Sequence, residues 1–457
     1  NTRFDTFSDY LGRDEQESFA TSLRGNWTGL NKVEVTTITS FTDTDSLNSF
    51  DGDWADAETV TLLGDHDENA STDEVLIDNS SFLATERERK RWSQEIRFDS
   101  IDKEDAYGSI DRWTAGIYFE DFQEDTAYNG YEAGDTHYET QTLSFYGQGE
   151  HLFNTDTRLI IGLHAENYNL DTVVDYKDPI FLQSDNNPSF DDWLFGGKIT
   201  LEHNLNNSST VFTSITKGYK AGGANIFPGL EGDNEETDEI DPFPTTYDTE
   251  DLWNYEIGLR ASLLDSALLS QITLFYLDRE NTQLRSSTGT GVKFKYGTSN
   301  VGDAKHYGAE LESTWFINKN WSISAGLGLL DTELDSSGIE LSSSPSYTYS
   351  ARLDYLGDNG FFANLELSGS DDFYESNKTD NRDQRIRSAF TVFNGALGYR
   401  YENWILTLWG RNIFNEEYEK RVFFEGVDPR TDPAWSPARY ENPADPVQFG
   451  ATLNYTW

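Results

Sequence analysis

The stretch Val447-Gln-Phe-Gly-Ala-Thr-Leu-Asn-Tyr-Thr-Trp457 alternates strictly between apolar and polar side chains. The odd-numbered positions are apolar or aromatic, and the even-numbered positions are Gln, Gly, Thr or Asn. A period of two residues is typical of a β-strand with one apolar and one polar face. We therefore predict a strand here that ends on an aromatic residue.

The same alternation recurs along the chain, and we count seventeen segments with strand character. In residues 158–165 and 321–329, for example, every second residue is apolar. Connections after odd-numbered segments are short turns, apart from a longer one at residues 101–108, whereas connections after even-numbered segments are longer loops. This sorting indicates an outer-membrane barrel, because Greek-key sandwiches mix connection lengths. We predict an all-β fold, a transmembrane antiparallel β-barrel.

The number of segments bears on the size of the barrel. Bacterial barrels have an even number of strands, with both chain ends on the periplasmic side. An odd count therefore predicts that at least one further strand precedes these segments. Plugged outer-membrane transporters have about 22 strands, so about five would be missing. We expect residues 1–457 to form one partial barrel domain.

Composition agrees with a membrane barrel and argues against several other classes. The chain has 457 residues and a formal net charge of −47, which would repel nucleic-acid phosphates. Aromatic residues make up 14% of the chain, whereas acidic disordered chains are poor in aromatics. The absence of Cys excludes disulfides, thiolate metal sites and Cys nucleophiles. No apolar run reaches the length of about 18 residues that a transmembrane helix needs.

Five segments, taken in order, resemble barrel strands of TonB-dependent outer-membrane receptors of the iron-complex type. They are Trp92-Ser-Gln-Glu-Ile-Arg97, Thr216-Lys-Gly-Tyr-Lys-Ala-Gly-Gly-Ala-Asn225, Trp253-Asn-Tyr-Glu-Ile-Gly-Leu-Arg260, Gly302-Asp-Ala-Lys-His-Tyr-Gly-Ala-Glu-Leu-Glu312 and Trp409-Gly-Arg-Asn-Ile-Phe-Asn-Glu-Glu-Tyr418. Each segment alone is a weak signal, but five in family order before a terminal aromatic strand are specific. The plug domain and TonB box of the family are not visible in this sequence, and we expect them in a longer protein.

The resemblance implies active import across the bacterial outer membrane, energised by the TonB–ExbB–ExbD complex through the absent plug. A ferric siderophore is the leading ligand candidate, while cobalamin, haem and oligosaccharides are ligands of similar receptors. Two other classes stay open, namely a passive porin-like channel and a surface adhesin with acidic loops. We expect no enzyme, because neither His-Glu-x-x-His nor Gly-x-Ser-x-Gly is present.

Candidate ligand contacts are aromatic and cationic residues near the long loops, since rings stack on planar groups and cations attract an anionic ferric complex. They are Trp54, Tyr128, Tyr131, Tyr219, Lys220, Phe227, Arg279, Arg285, Tyr374, Arg421 and Phe423. The alternative role for each is loop packing or contact with lipopolysaccharide. Polar faces, including His164 and Glu166, would line a wet lumen. Aromatic residues near short turns would form a periplasmic girdle against the outer-membrane lipid. They are Trp27, Trp315, Trp404, Tyr455 and Trp457.

We predict no cofactor other than structural calcium, and calcium binding is an expectation that has to be tested. Carboxylate clusters supply the oxygen ligands that calcium prefers. The candidate ligands are Asp51, Asp53, Asp56, Asp233 and Asp238. None of these clusters has EF-hand spacing, and an acidic solvated surface typical of a saline habitat is the favoured explanation for them.

Overall fold

A computed structural model of the chain describes residues 10–30, 32–51, 82–101, 110–130, 134–176, 184–225, 244–288, 295–377, 382–427 and 437–457. These residues are mostly β-strand, with one short 3-10 turn at Arg382–Arg385. Within them, no helix has the length and apolar character needed to cross a membrane.

The strands are numbered in chain order. They are β1 (Asp14–Leu30), β2 (Val33–Asp51), β3 (Phe82–Ser100), β4 (Ile110–Gly130), β5 (Gly134–Leu152), β6 (Thr157–Tyr176), β7 (Ser184–Asn186), β8 (Ser189–Asn206), β9 (Ser209–Lys220), β10 (Gly223–Ala224), β11 (Thr246–Tyr247), β12 (Glu250–Leu263), β13 (Leu268–Glu280), β14 (Gln283–Thr288), β15 (Lys295–Asn300), β16 (Ala304–Phe316), β17 (Trp321–Leu334), β18 (Tyr347–Leu356), β19 (Phe361–Ser370), β20 (Phe373–Tyr374), β21 (Ile386–Arg387), β22 (Phe390–Tyr401), β23 (Trp404–Arg411), β24 (Glu419–Val427), β25 (Pro437–Pro443) and β26 (Gln448–Tyr455).

Seventeen long strands, with the short β7 beside β6, form one antiparallel sheet. Each pairs with the next long strand along the chain, in the order β1, β2, β3, β4, β5, β6, β8, β9, β12, β13, β16, β17, β18, β19, β22, β23 and β26. Within the described residues β1 pairs only with β2, and β26 only with β23. Each of the seventeen predicted segments corresponds to one long strand, so the predicted antiparallel all-β architecture is confirmed.

The two ends of the sheet carry different connections. Tight turns such as residues 264–267 between β12 and β13 lie at one end, here called the turn end. The other end, here called the loop end, carries the hairpins β10–β11, β14–β15, β20–β21 and β24–β25. The hairpins therefore lie where the long loops were predicted.

The two faces of the sheet differ in polarity. Large apolar side chains stand on the outer face, where Leu163 is 70% exposed and Ile257 is 52% exposed. The neighbouring positions point inward and are mostly polar or glycine. At Gly258 an added Cβ would lie 2.9 Å from the carbonyl oxygen of Ile272 and closer still to the ring of Phe212. Glycine is required there because the aromatic ring packs directly on the backbone.

The apolar interior is small because the apolar side chains face outward. A cluster of Ala304, Leu334 and Leu341, each at most 6% exposed, lies at the loop end of β16 and β17. In a membrane barrel the lipid takes the place of a protein core on the outer face. The observed distribution of apolar side chains follows that rule.

The predicted strand ends are wrong at the loop end of β2 to β6. The sequence places residues 51–88 in a polar loop, but β3 begins at Phe82. Likewise β4 runs to Gly130, into a stretch predicted as loop. Polar residues dominate both faces of these extensions, apart from buried residues such as Leu170 and Val174, so regular hydrophobic alternation ends while backbone pairing with the neighbours continues. We call residues 40–51, 82–93, 120–130, 134–142 and 168–176 the tall wall.

Candidate functional site

A ladder of charged side chains crosses the inner face near the turn end. Arg158 lies 3.3 Å from Glu150 and also pairs with Glu202. Arg260 lies 3.1 Å from the same Glu202, and its Nε donates to Gln271 Oε1 at 3.1 Å. An open cavity of about 960 Å³ with mainly polar lining adjoins the ladder. The inner face at this level is therefore hydrophilic, with its charges largely compensated.

Glu250 is the centre of a buried polar cluster at the loop end of β12. Its carboxylate accepts hydrogen bonds from Arg279 Nε at 2.8 Å, Arg279 Nη2 at 3.0 Å and the Gln283 backbone N–H at 2.6 Å. The side chain of Gln283 donates to the carbonyl oxygens of Ala221 and Asp248, at 2.9 Å each. The cluster ties together segments next to β9, β12 and β13. The predicted ligand residue Arg279 is thus held by Glu250, and its side chain is only 20% exposed.

Asn225 fixes the end of the segment that follows β9. It is 7% exposed, and its Nδ2 donates to the carbonyl oxygens of Pro244 at 2.7 Å and Thr298 at 2.8 Å. Its Oδ1 accepts from the Thr298 N–H at 2.8 Å. This amide therefore joins the β10–β11 hairpin to the β14–β15 hairpin, and sequence reasoning assigned it no role.

The predicted ligand residue Tyr219 lies on the inner side near the loop end. Its hydroxyl is 2.7 Å from His164 Nδ1, and the two rings are nearly parallel with centroids 6.0 Å apart. Glu166 Oε2 lies 4.0 Å from His164 Nε2. The three side chains form a polar group on the inner wall. His164 and Glu166 thus lie on the lumen side, as predicted. Lys220, the next residue, is exposed.

Tyr374 and Arg421 lie among the hairpins of the loop end. The guanidinium carbon of Arg382 is 3.8 Å from the ring centroid of Tyr374, a cation–π contact. Burial raises the pKa of the neighbouring Glu375 carboxyl, against the opposing charges of Arg387 and Arg421. Tyr374 therefore has a local cationic partner, and Arg421 lies close enough to the Glu375 carboxyl to affect its charge.

Glu419 anchors the β24–β25 hairpin to the segment after β21. Its carboxylate accepts from the Ser388 N–H at 3.1 Å and lies 3.7 Å from Arg439 Nη2. Burial by itself would raise the pKa of Glu419. The hydrogen bonds from Ser388 and the charge of Arg439 outweigh burial, so this pKa is below the usual glutamate value.

The predicted ligand residues are spread over the loop end, and the described ones form no single pocket. Tyr128 is half-buried on the inner face of the tall wall, while Arg285 and Arg421 are exposed. Trp54, Tyr131, Phe227 and the side chain of Phe423 lie outside the described residues. Their role in ligand contact stays a prediction.

The five predicted girdle residues lie on the outer side at the turn end. Trp404 and Tyr455 are cross-strand neighbours with ring centroids 4.5 Å apart. Trp27, Trp315 and Trp457 are 56%, 42% and 99% exposed. Exposed aromatic rings at one level of an outer face suit the membrane–water interface, and their girdle role stays a prediction.

The calcium candidates lie mostly outside the described residues. These are Asp53, Asp56, Asp233 and Asp238. Asp51, at the end of β2, is 5% exposed. In the part of the chain that the structure describes, no three His, Cys, Asp or Glu side chains are grouped to hold a metal. Calcium binding stays a prediction.

Sequence reasoning missed Arg87, Arg89 and Arg91, here called the arginine column. They alternate along β3 and point to the inner face of the tall wall. Arg87 Nε and Arg91 Nε lie 3.9 and 3.7 Å from carboxylates of β4, and Arg89 pairs with Glu124. The signal was present in the run Glu86-Arg-Glu-Arg-Lys-Arg91, in which arginine recurs at every second position, the period of a strand.

Comparison with known proteins agrees with this architecture. The model of the family described as "TonB dependent receptor-like, beta-barrel" matches residues 1–413. A probable TonB-dependent siderophore receptor, PiuA of Acinetobacter baumannii, is 34% identical over 107 residues, which are 23% of this chain and 13% of PiuA. The pesticin receptor of Yersinia enterocolitica is 33% identical over 138 residues, or 30% of this chain and 18% of that receptor.

Solved structures show the same fold. The ferric yersiniabactin uptake receptor FyuA from Yersinia pestis superposes with a TM-score of 0.73 at 16% identity, over 96% of this chain and 61% of FyuA. The copper transporter OprC also reaches 0.73 at 15% identity, over 98% of this chain and 68% of OprC. This chain thus spans about six-tenths of the FyuA structure and matches smaller shares of the curated relatives.

The family match confirms two expectations, namely that the protein resides in the outer membrane and that it belongs to a family of receptors rather than enzymes. Barrels of this membrane have short periplasmic turns and longer extracellular loops, so we expect the turn end to face the periplasm and the loop end the cell exterior. With a family model that covers most of its length and a 17-strand sheet of the same architecture, the chain belongs to the TonB-dependent receptor family as a β-barrel of the outer membrane.

Proposed function

We propose that this chain is the barrel of a receptor that imports a ferric siderophore across the outer membrane, driven through TonB–ExbB–ExbD. The observation that carries the proposal is the contrast between the faces of one continuous sheet. The outer face is apolar, whereas the inner face carries the ladder Glu150–Arg158–Glu202–Arg260 and the group around His164. A polar lining inside an apolar shell suits a conduit for a hydrophilic solute.

The proposal includes a plug domain within this polar lumen, as the family resemblance implies. The plug would couple the barrel to TonB, because an open lumen alone would pass solutes without energy. The siderophore assignment is supported by the resemblance of one segment to PiuA and by the likeness of the fold to FyuA. Cobalamin, haem and oligosaccharide remain the competing ligands.

Deletion of the gene in its native host tests the proposal. We expect the deletion strain to stop growing on iron held by a chelator and supplied as a siderophore complex, and to recover on complementation. Import should also vanish when the tonB gene is deleted. Uptake that persists without TonB would indicate a passive channel, and unchanged growth of the deletion strain on every iron source would refute iron import. The intact mass of the native protein, compared with the 51.9 kDa of this chain, tests for the plug.

A further inference from the structure

A large apolar side chain stands at every connection of the turn end. Each of the eight connections carries one within a residue of the end of the strand that leads into it. They are 39–65% exposed, so the protein itself does not bury them. A row of exposed apolar side chains, unlike a single isolated one, marks an interaction surface. These side chains, here called the turn-leading residues, are Leu30, Ile101, Phe153, Leu205, Leu264, Ile317, Leu356 and Tyr401.

The residue after most turn-leading residues closes the turn on itself. Asn154 Oδ1 accepts hydrogen bonds from the N–H groups of Asp156 and Thr157 at 2.8 and 2.9 Å. Asn206 and Asn318 accept from the N–H group two residues further on in the same way, at 2.9 Å each. Such turns satisfy backbone donors without water, so they can enter a layer that is poor in water. Asn or Asp follows the turn-leading residue directly in six of the eight connections, at positions 31, 102, 154, 206, 265 and 318.

Most turn-leading residues continue the apolar outer face of the sheet. Tyr401 is the direct cross-strand partner of Trp404, and the ring of Phe153 is 5.0 Å from that of His151, its neighbour on the outer face. Leu264 lies in the turn itself with a φ of 54°, a conformation that favours Gly, Asn or Asp. Turn geometry therefore does not explain an apolar side chain at that position, whereas contact with lipid does.

The height of the apolar band depends on the turn-leading residues. On β16 the outer face is uncharged from Ile317 to Tyr307, and Lys305 follows. The same length separates Phe153 from Leu143, the last apolar residue before the polar extension of β5. This length is about 33 Å along a strand, or about 25 Å along the membrane normal for a tilt of about 40°. Barrels of this kind have apolar bands of about 25 Å, and without the turn-leading residue the band would measure only about 20 Å.

We propose that the turn-leading residues dock the barrel on a lipid surface, by inserting the turns themselves into the headgroup layer of the leaflet at the turn end. The partner is lipid because these residues continue the lipid-facing outer face without a break, and because the band reaches its usual height only when they are included. The aromatic girdle stands on the strands, whereas the turn-leading residues lie at the connections and are mostly aliphatic. They would fix the depth of the barrel in the membrane, whatever ligand the protein imports.

Site-directed spin labelling of the full-length protein tests the position of the turns. This chain has no Cys, so a single introduced cysteine gives a single label once any cysteine elsewhere in the protein is replaced by serine. Labels at Leu205→Cys and Ile317→Cys are compared with labels at Asn207→Cys and Lys319→Cys, two residues further along the same turns. In phosphatidylcholine nanodiscs we expect the collision rate with a water-soluble nickel chelate to be about fivefold lower, or less, at the turn-leading positions than at the turn tips.

Bilayer thickness gives a second readout, which a general loss of stability would not reproduce. The triple variant L205S/L264S/I317S lowers the apolar band at three neighbouring turns by about 5 Å. We measure insertion into vesicles of didecanoyl, dilauroyl or dimyristoyl phosphatidylcholine by the heat-modifiable gel shift. The ratio of the wild-type to the variant insertion rate should be near one in the thinnest bilayer and rise to about ten or more in the thickest.

A matched control and the opposite outcomes complete the test. Val173 is 50% exposed on the outer face of the tall wall, beyond the apolar band, so Val173→Ser should insert like wild type in every bilayer. Equal collision rates at turn-leading and tip positions would overturn the inference, as would a rate ratio that does not change with bilayer thickness. Turn-leading labels that are exposed to water in nanodiscs but protected in native outer membranes would indicate a protein partner and overturn the assignment to lipid. None of these outcomes depends on import, so the proposed function is tested separately.

Discussion

Removal of the Glu250 carboxylate should destabilise the barrel more than any exposed ion pair does. The side chain of Glu250 is 7% exposed and accepts three hydrogen bonds, two from Arg279 and one from the Gln283 N–H. Glu250→Ala leaves the Arg279 guanidinium, which is 20% exposed, and a buried N–H without their acceptor. Breaking a buried pair from one side costs about 3–5 kcal/mol.

We expect the lower part of that range, about 3 kcal/mol, because Arg279 keeps two compensating contacts. Its Nη1 lies 3.3 Å from His306 Nε2, and its partial exposure admits water. Arg279→Ala should cost a similar amount. The double variant should cost little more than either single variant, which gives a coupling of about 2–3 kcal/mol.

Urea titration of the barrel refolded into lipid vesicles measures these differences, with the heat-modifiable gel shift reporting the folded fraction. Arg352→Ala is the matched control, because Arg352 is 46% exposed and lies 2.9 Å from Asp354. Exposed pairs of this kind contribute about 0–1 kcal/mol. The reasoning is refuted if Glu250→Ala destabilises no more than Arg352→Ala, or if the effects of Glu250→Ala and Arg279→Ala simply add.

Three further predictions concern a glycine, the aromatic girdle and pH. Gly258→Ala places Cβ 2.9 Å from the Ile272 carbonyl oxygen and should destabilise by about 1–3 kcal/mol in the same urea titration, whereas Gly218→Ala, with its nearest neighbour at 3.8 Å, should be nearly neutral. Trp404→Ala should slow insertion into vesicles, measured by the gel shift against time, and unaltered insertion would argue against the girdle role. Glu419 has a lowered pKa, so its stabilising contribution is complete above the usual glutamate value of 4.5 and is lost as pH falls through the folded-state pKa. In pepsin digests the ratio of the wild-type cleavage rate at the β24–β25 hairpin to that of Glu419→Gln cancels the pH dependence of the protease. This ratio should lie below one and rise towards one as pH falls, and a ratio that does not change with pH would contradict the assignment.

The fold was predictable from the sequence wherever one face of a strand meets lipid. The alternation in residues 447–457, and in sixteen segments before it, located every long strand of the sheet. Lipid on one side and water on the other force apolar and polar residues to alternate, so the pattern is readable without any tertiary information. Once these strands are located, the lengths of the connections between them can be counted directly in the sequence.

The candidate site was predictable only in part, because its residues come together from distant positions. Tyr219 was chosen for its residue type and its place near a loop, and the structure puts it beside His164, 55 positions earlier. Arg279 was chosen on the same grounds, yet its guanidinium is occupied by Glu250. Residue type and loop position say which side chains could meet a ligand, but not which of them other side chains already hold.

The sequence by itself determined the class of this protein: an outer-membrane barrel with an apolar exterior, a polar lumen and no helical span. The tertiary structure alone decided that β3 begins at Phe82, that the strands of the tall wall continue past the stretch of hydrophobic alternation, and that the arginine column shares the inner face with Glu120 and Glu124. Where a strand leaves the lipid, both of its faces can be polar, so hydrophobic alternation no longer reports the strand, although its backbone hydrogen bonds persist. The pairing of β3 with β2 and β4 decides which face of the sheet carries Arg87, Arg89 and Arg91. That pairing joins residues far apart in the chain.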